Sequence, residues 1–301
     1  MIKLIVTGSN FPDVEEGLHG ELLVTSESTP LNSTSVVVPG NKPYKIPVLK
    51  LEPAYLSGKI VTKNVLPDVQ AFLEEDTEII FVLIDSSHSS AVLAAPLIAK
   101  KAKELGVLTI GVVCLPFSPG DAANALPSDE SLLEIRKSYD SILSLFPDTS
   151  LGTKEKPNSK MVLQQTRGVI MSTIQSIVHL QDVQTEVNVD LQDVRYVLAD
   201  AGEALVGTAV ASGPGRSACV IEEALGFNGN LNKELSGARK ILISVMSGEE
   251  TELDMEELIE ITDAIQAKAG EEAEVIFGHG TDPYLGDNIR VTLIASGFPG
   301  K

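Results

Sequence analysis

Three nearly continuous apolar runs constrain the fold of this chain more than any other feature of its sequence. They cover residues 1–7, 78–84 and 107–114, and each leads through a polar turn or linker towards a helical pattern. Strands without polar alternation are typical of parallel sheets whose two faces are covered by helices. The amino-terminal half is therefore predicted to be a parallel α/β sheet flanked by helices.

The middle of the chain combines a long helical pattern with an acidic loop. Residues 167–180 place apolar side chains at close to the helical period, and a second helix is expected to begin near Val194 and to run to Leu205. Asp190 is a candidate N-cap for this second helix, and Asp193 lies in its acidic first turn. Two carboxylates three residues apart share one helix face, where they could polarise a water. The alternative is that both only cap the helix.

The carboxyl-terminal half alternates strands and helices again. Strands are predicted at residues 240–245, 274–278 and 289–295, with an amphipathic acidic helix at 255–268 between the first two. Another helix is predicted from Arg216 to Leu225. This half is therefore expected to be a second α/β domain.

Charge and cysteine content exclude some classes of function. The net charge of −19 argues against binding a phosphate backbone or an anionic membrane through bulk electrostatics. No apolar run approaches the roughly 18 residues of a membrane span, and we expect no secretory leader. Cys114 in a strand and Cys219 in a helix have no metal-ligand spacing and are expected to be buried and reduced. We therefore expect a cytoplasmic protein without a metal site, direct membrane contact or nucleic-acid partner.

Several segments, in one order along most of the chain, resemble the FtsZ family, the bacterial relatives of tubulin. They are Thr109-Ile110-Gly111-Val112-Val113 followed by Pro116-Phe117, Asn188-Val189-Asp190-Leu191-Gln192-Asp193, Val210-Ala211-Ser212-Gly213 with Arg216, Leu235-Ser236-Gly237-Ala238-Arg239, and Asp282-Pro283 with Arg290-Val291-Thr292 and Gly297. The resemblance implies a tubulin/FtsZ-like α/β fold. It places a Rossmann-type, nucleotide-binding-like domain at residues 1–165, a central helix at 166–182 and a carboxyl-terminal α/β domain at 183–301.

The resemblance also implies roles for three residues of the acidic loop. Asn188, Asp190 and Asp193 are similar to the groups that one FtsZ subunit inserts into the nucleotide pocket of the next, where the carboxylates position the attacking water. The family joins its subunits head to tail, so the implied partner is a second copy of this chain or another FtsZ-like protein.

The loops that would hold the nucleotide phosphates depart from the family pattern. Of the first glycine run only Gly8 remains, and residues 87–93 stand where the family alternates Gly and Thr. Backbone amides reach phosphate oxygens closely only where no side chain intervenes, which is why such loops need glycine. Asp85 adds a like charge, which at about 4 Å costs roughly 1 kcal/mol in water and about 4 at an effective dielectric near 20.

A residual nucleotide site can still be assigned to the few small polar residues of these loops. Ser89 or Ser90 is expected to cap the following helix and to leave a weak anion site at its start. GTP with Mg²⁺ is the cofactor that such a site would take. The candidate cofactor-binding residues are Gly8, Ser9, Asn10, Ser87, Ser89 and Ser90.

Three hypotheses on function follow. The first is a divergent FtsZ-like protein that self-assembles, with GTP binding weakened or lost and any GTPase activity impaired. The second is an active GTPase in which Asp190 and Asp193 hydrolyse the GTP held by a head-to-tail neighbour. The third is a small-molecule binding module that uses the carboxyl edge of the sheet as a crevice.

Overall fold

The structure of the protein is a computed structural model that describes residues 1–7, 22–24, 46, 48–51, 66–74, 76–86, 88–114, 129–145, 172–180, 185–187, 189–226 and 235–299. These residues belong to two units, the first containing the described residues up to 145 and the second those from 172 onward. The predicted domain borders near residues 165 and 182 fall outside the described ranges and remain predictions.

The first unit is built on a sheet in which every pair of neighbouring strands is parallel. Its strands lie in the order β2-β3-β1-β4-β5-β6. The predicted parallel sheet is confirmed, and the apolar runs of the sequence form its centre. The strands are β1 (Ile2–Thr7), β2 (Leu22–Val24), β3 (Val48–Leu51), β4 (Ile79–Asp85), β5 (Leu108–Cys114) and β6 (Ser141–Leu145).

Three helices of the first unit share a hydrophobic core with this sheet: α1 (Leu66–Leu73), α2 (Ser89–Glu104) and α3 (Asp129–Ser138). α2 packs against β4 and β5. Its buried face consists mainly of alanines with Val92 and Ile98, and such small side chains let the helix backbone approach the sheet closely. Since α2 follows β4 directly, its first turn lies at the carboxyl end of that strand.

The second unit contains a mixed sheet in the order β8-β11-β9-β10-β7. β9 and β10 are parallel, whereas β8 with β11, β11 with β9, and β10 with β7 are antiparallel. The strands are β7 (Thr185–Val187), β8 (Gly202–Ser212), β9 (Lys240–Ser247), β10 (Glu274–Thr281) and β11 (Asn288–Ser296).

The helices of the second unit pack on a sheet whose side chains alternate between its two faces. Ile243 and Val291 lie on the face that α6 and α7 cover, whereas their neighbours Ser244 and Thr292 line a cavity with residues of α4. The helices are α4 (residues 172–180), α5 (Leu191–Leu198), α6 (Arg216–Gly226) and α7 (Met255–Ala269).

Two details of the second unit differ from the sequence-based expectations. α5 ends at Leu198 and not at Leu205, because Asp200 has a positive φ of 49° and β8 begins at Gly202. Cys219 is exposed and not buried. The buried face of α6 contains Val220, Ile221, Ala224 and Leu225, which turns residue 219 towards solvent.

Arg216, at the start of α6, gathers two loops and a helix around its guanidinium group. It donates to both carboxylate oxygens of Glu257 at 2.7 Å, and to the backbone carbonyls of Thr251, Glu252 and Asp287 at 3.1–3.3 Å. The hydrogen bonds from Arg216 lower the pKa of the Glu257 carboxyl, although its partial burial acts in the opposite direction. A planar donor group that satisfies five acceptors holds the loops after β9 and β10 in one arrangement.

The described helices include none whose length and apolar content would suit a bilayer crossing.

We predict that replacing Arg216 by Met lowers the free energy of unfolding by about 3 kcal/mol, because it strands Glu257 and three carbonyls without their donor. Urea unfolding followed by circular dichroism measures the change. Arg239→Met is the matched control, because Arg239 is exposed and its loss should cost less than about 0.5 kcal/mol. Equal losses in the two variants would contradict a specific role for the Arg216 contacts.

Candidate functional site

The amino-terminal candidate site lies where β1 and β4 run side by side. Thr7, the last residue of β1, is in register with Ile84, and its Oγ1 donates to the Leu83 carbonyl at 2.8 Å. In the sheet, β2 and β3 lie on one side of β1 and β4 lies on the other, so the chain reverses its winding direction at β1. Doubly wound sheets bind ligands at the carboxyl ends of the strands at such a point.

The predicted cofactor-binding residues follow these two strand ends. Ser89 and Ser90 are described, whereas Gly8, Ser9, Asn10 and Ser87 lie outside the described residues. The pairing of β1 with β4 places the starts of both predicted loops at one edge of the sheet. Their predicted contact with a nucleotide stays a prediction.

A carboxylate and an imidazole occupy the carboxyl end of β4. Asp85 is 3% exposed, and its Oδ2 lies 2.8 Å from Nδ1 of His88. His88 is partly exposed and also donates its backbone N–H to the Asp85 carbonyl. This contact places an imidazole beside the negative charge that the sequence indicated at this strand end.

The N-cap of α2 is His88, so the expectation that Ser89 or Ser90 caps this helix is wrong. The His88 side chain makes no capping hydrogen bond, and the first turn carries no acidic residue. Ser89 and Ser90 are already helical, which places their hydroxyls beside the helix and not ahead of it. The positive end of the α2 dipole therefore has no side-chain acceptor from the cap residue.

The carboxyl-terminal candidate site is the acidic loop before α5, in the second unit. The predicted N-cap is confirmed: Asp190 Oδ1 accepts from the backbone N–H groups of Gln192 at 2.7 Å and Asp193 at 3.1 Å. In return, Asp193 Oδ2 accepts from the Asp190 backbone N–H at 2.9 Å. This reciprocal arrangement is a capping box.

Each of the two carboxylates keeps one oxygen outside the capping box. Among the described residues, no donor lies on Oδ2 of Asp190 or Oδ1 of Asp193. Asp190 is exposed and Asp193 is partly exposed. The same two side chains can therefore cap the helix and still contact a water or a bound partner. Asn188, the third predicted residue, lies outside the described residues.

The segment before the acidic loop is attached to the edge of the second sheet. Val187 pairs with His279 and Thr185 with Gly280, with a bulge between the two pairs. After this short strand, Val189 is buried with 2% exposure and Asp190 begins the cap. The paired strand and the buried valine therefore anchor the chain directly before Asp190.

A polar cavity between α4 and the second sheet was missed in the sequence. Its volume is about 10 Å³, about the space for one water, and its polar lining includes Ser176, His179, Ser244, Arg290 and Thr292. His179 is 4% exposed. Burial, together with the nearby positive charge of Arg290, lowers the pKa of His179 to about 3. The only available signal was the polar residues at alternate positions of two apolar strands.

Comparison with known proteins shows which family the chain resembles. Residues 202–299 match the FtsZ family, C-terminal domain. The cell division protein FtsZ of Buchnera aphidicola subsp. Schizaphis graminum is 30% identical over 225 residues, which cover 74% of this chain and 58% of that protein. The chain is an FtsZ-like protein of the tubulin superfamily. It spans somewhat more than half of the length of the curated FtsZ sequences that it matches.

Solved FtsZ structures share the fold. An FtsZ dimer from M. jannaschii, described as empty, superposes with a TM-score of 0.73 at 21% identity, covering 98% of this chain and 88% of that chain. CetZ from Methanosaeta thermophila superposes with a TM-score of 0.69 at 12% identity, covering 99% and 87%. TubZ from Bacillus thuringiensis serovar israelensis, in a GTPγS-form protofilament, gives 0.60 at 12% identity, covering 82% and 70%. At these identities the likeness shows the fold alone.

We predict that Asp190→Ala and Asp190→Asn separate the capping role from the charge. The alanine variant should lose about 1 kcal/mol of unfolding free energy, and the asparagine variant less than about 0.5, because Asn caps helices as well as Asp. Urea unfolding of the two variants checks this. An asparagine variant as unstable as the alanine variant would show that the carboxylate stabilises α5 through its charge and not through its hydrogen bonds.

We also predict that His179 makes the protein less stable in mild acid. The folded-state pKa of about 3 lies below the unfolded value of about 6.5. The unfolded chain therefore binds an extra proton between these values, and stability falls as the pH decreases through this window. The loss assigned to His179 should reach about 1 kcal/mol at pH 5.5. His179→Asn, which does not titrate, should show a smaller loss than the wild type between pH 7.5 and 5.5, and equal losses would contradict the assignment.

Proposed function

We propose that this chain is a divergent FtsZ-like protein that assembles head to tail with itself or with another FtsZ-like chain, and that it binds GTP weakly or not at all. The proposal rests on family membership and on the contrast between the two candidate sites. The carboxylates of the acidic loop are exposed and held in place. The strand end that would receive the phosphates carries a buried carboxylate and a helix without glycines.

The burial and helical backbone of the first residues of α2 are the main support for weak or absent nucleotide binding. Ala91 and Val92 are 0% and 5% exposed and belong to the hydrophobic core of the first unit. A glycine-rich loop in their place would wrap its amides around phosphates, whereas here the backbone is helical from Ser89 onward. Freeing the segment to act as such a loop would expose both side chains to water.

The magnitudes of the remaining interactions point the same way. The uncapped start of α2 would favour an anion by about 0.3–1 kcal/mol. Repulsion by Asp85 would cost about 1–4 kcal/mol at close range. The balance is near zero or unfavourable, while a micromolar dissociation constant needs about 8 kcal/mol of binding free energy. Contacts to the base and sugar would have to supply nearly all of it.

Support for assembly comes from the relatives. The charge of the chain determines how assembly should depend on salt. The comparison structures include an FtsZ dimer and a TubZ protofilament. A contact between unlike surfaces of identical chains propagates into a filament unless it closes into a ring. With a net charge of −19, copies of this chain repel each other over most of their surface, so we expect assembly to strengthen as salt screens this repulsion.

A second candidate function is an active GTPase that hydrolyses the nucleotide of its neighbour. The observation in its favour is that Asp190 and Asp193 each keep one oxygen outside the capping box, with no donor from the described residues, and such an oxygen can orient a water. This candidate requires a nucleotide pocket in the neighbouring copy. It therefore stands or falls with GTP binding.

We predict that GTP with Mg²⁺ binds with a dissociation constant weaker than about 0.1 mM, which corresponds to less than about 5.5 kcal/mol. Equilibrium dialysis with labelled GTP measures binding, and a phosphate-release assay on the same samples measures turnover. The matched control is Asp190→Asn with Asp193→Asn, which keeps the Asn cap at residue 190. Equal phosphate release from both proteins is expected. Micromolar binding, with turnover that the double variant loses, would establish the GTPase candidate instead.

Assembly is tested separately by sedimentation velocity and negative-stain electron microscopy over a range of protein and salt concentrations, with and without GTP. Concentration-dependent species larger than a monomer, formed equally in both conditions, are the expected result. Assembly that requires GTP would contradict the nucleotide-independent part of the proposal. A chain that stays monomeric throughout, also when mixed with a second FtsZ-like protein, would overturn the assembly function.

A further inference from the structure

The outward face of α2 carries two exposed leucines one helical turn apart. Leu93 is 66% exposed and Leu97 is 36% exposed, and the next outward position is the exposed Lys100. Single exposed leucines are common on protein surfaces. Here the two lie on one stripe because residues four apart on a helix are neighbours, and the stripe ends in a positive charge. We call Leu93, Leu97 and Lys100 the α2 stripe.

The outward face of α7 in the second unit shows a similar pattern with the opposite charge. Met255 is 68% exposed and Ile259 is 52% exposed, and Asp263 one turn later is exposed as well. We call Met255, Ile259 and Asp263 the α7 stripe. Glu256 and Glu260 flank it and are also exposed.

We propose that the α2 stripe of one copy packs in a parallel sense against the α7 stripe of the next copy. This inference rests on the self-assembly proposed above and names the surfaces that carry it. Parallel packing of two such ridges sets Leu93 and Leu97 against Met255 and Ile259, and brings Lys100 towards Asp263. Both stripes consist of two apolar side chains followed by one charge, so the apolar and the charged parts coincide only in this direction.

Charge complementarity identifies a second copy of this chain as the occupant. The α2 stripe ends in Lys100 and the α7 stripe ends in Asp263, so the parallel contact brings opposite charges together. Lys101 and Lys103 do not add to this attraction, because they already form ion pairs with acidic side chains of their own copy. A symmetric contact of α7 with α7 would bring like charges together, as would a contact of α2 with α2, and like charges in an interface are repelled. The complementary contact is therefore heterologous, the kind that adds subunits without limit unless it closes.

The size of the contact determines how the assembly should behave. A single pair of helices buries less than the roughly 1,200 Å² at the lower limit of stable interfaces. Each contact is then weak, and assembly should depend strongly on protein concentration. No phosphate group takes part in it, so it does not require a nucleotide.

Charge reversal and its rescue test the contact. Lys100→Glu should raise the concentration for half-maximal assembly by about three- to tenfold, because an attraction becomes a repulsion. Adding Asp263→Lys should restore assembly to within about twofold of the wild type. Ile259→Asp should raise that concentration by about tenfold or more, since it places a charge in the apolar part of the contact. Lys137→Glu on the exposed face of α3 is the control and should change nothing. Circular dichroism of each variant confirms folding.

Cysteine pairing provides an independent measurement on the same contact. In a Cys114→Ala, Cys219→Ser background, a mixture of Leu97→Cys and Ile259→Cys chains should form a disulfide-linked dimer under mild oxidation, whereas neither chain should form one alone. Dimers from one variant alone would show a symmetric contact and overturn the proposal.

The outcomes distinguish this inference from the proposed function. The wild-type chain could assemble while Lys100→Glu and Ile259→Asp assemble equally well and no mixed disulfide forms. That result would refute the contact between the two stripes and leave self-assembly in place. A wild-type chain that never assembles would overturn both.

Discussion

Burial of strands on both faces is the constraint on which the rest of this structure depends. Every residue of β1 and of β4 is buried. In such a strand a charged side chain needs a partner, as Lys3 of β1 has in the Phe72 carbonyl. Asp85 is the last residue of β4 and meets His88 there. The chemistry of the first unit is therefore confined to the carboxyl edge of its sheet, where β1 and β4 lie together.

In the second unit, several polar side chains each interact with more than one partner. Arg216 neutralises Glu257 and at the same time satisfies the carbonyls of two loops. Asp190 and Asp193 close the capping box of α5 while each keeps an oxygen available. A cap is worth about 1 kcal/mol by itself. The presence of both carboxylates therefore has a sufficient structural explanation, and a catalytic or interface role has to be measured separately.

The two candidate sites also differ in the rearrangement that each would need for the role considered for it. The acidic loop needs none to contact a partner, because Asp190 is exposed and Asp193 is partly exposed at a position fixed by the capping box. The start of α2 would have to unwind and expose Ala91 and Val92, which form part of the core. Losing a buried aliphatic side chain from a core costs about 1–3 kcal/mol. A phosphate-wrapping loop in this segment would therefore have to give up part of the core packing.

The sequence alone was sufficient for most of the fold. Continuous apolar runs predicted the central parallel strands, and the spacing of Asp190 from Asp193 predicted the helix start, because both signals are local and depend on the side chains themselves. The end of α5 was placed seven residues too late, since the backbone reversal at Asp200 has no strong signature in a residue that is not glycine. Among the many acidic residues of the chain, the resemblance to the FtsZ family pointed to Asp190 and Asp193 as candidates for a functional site.

Only the tertiary structure decided which groups meet. The contact of Asp85 with His88 depends on the direction in which α2 leaves β4, and the cavity around His179 depends on how α4 lies against alternate residues of β9 and β11. The exposure of the α2 and α7 stripes depends on which face of each helix packs against its sheet. A sequence lists the side chains that a helix or strand can offer, whereas the packing of distant elements determines which of them are used up in the core and which remain at the surface.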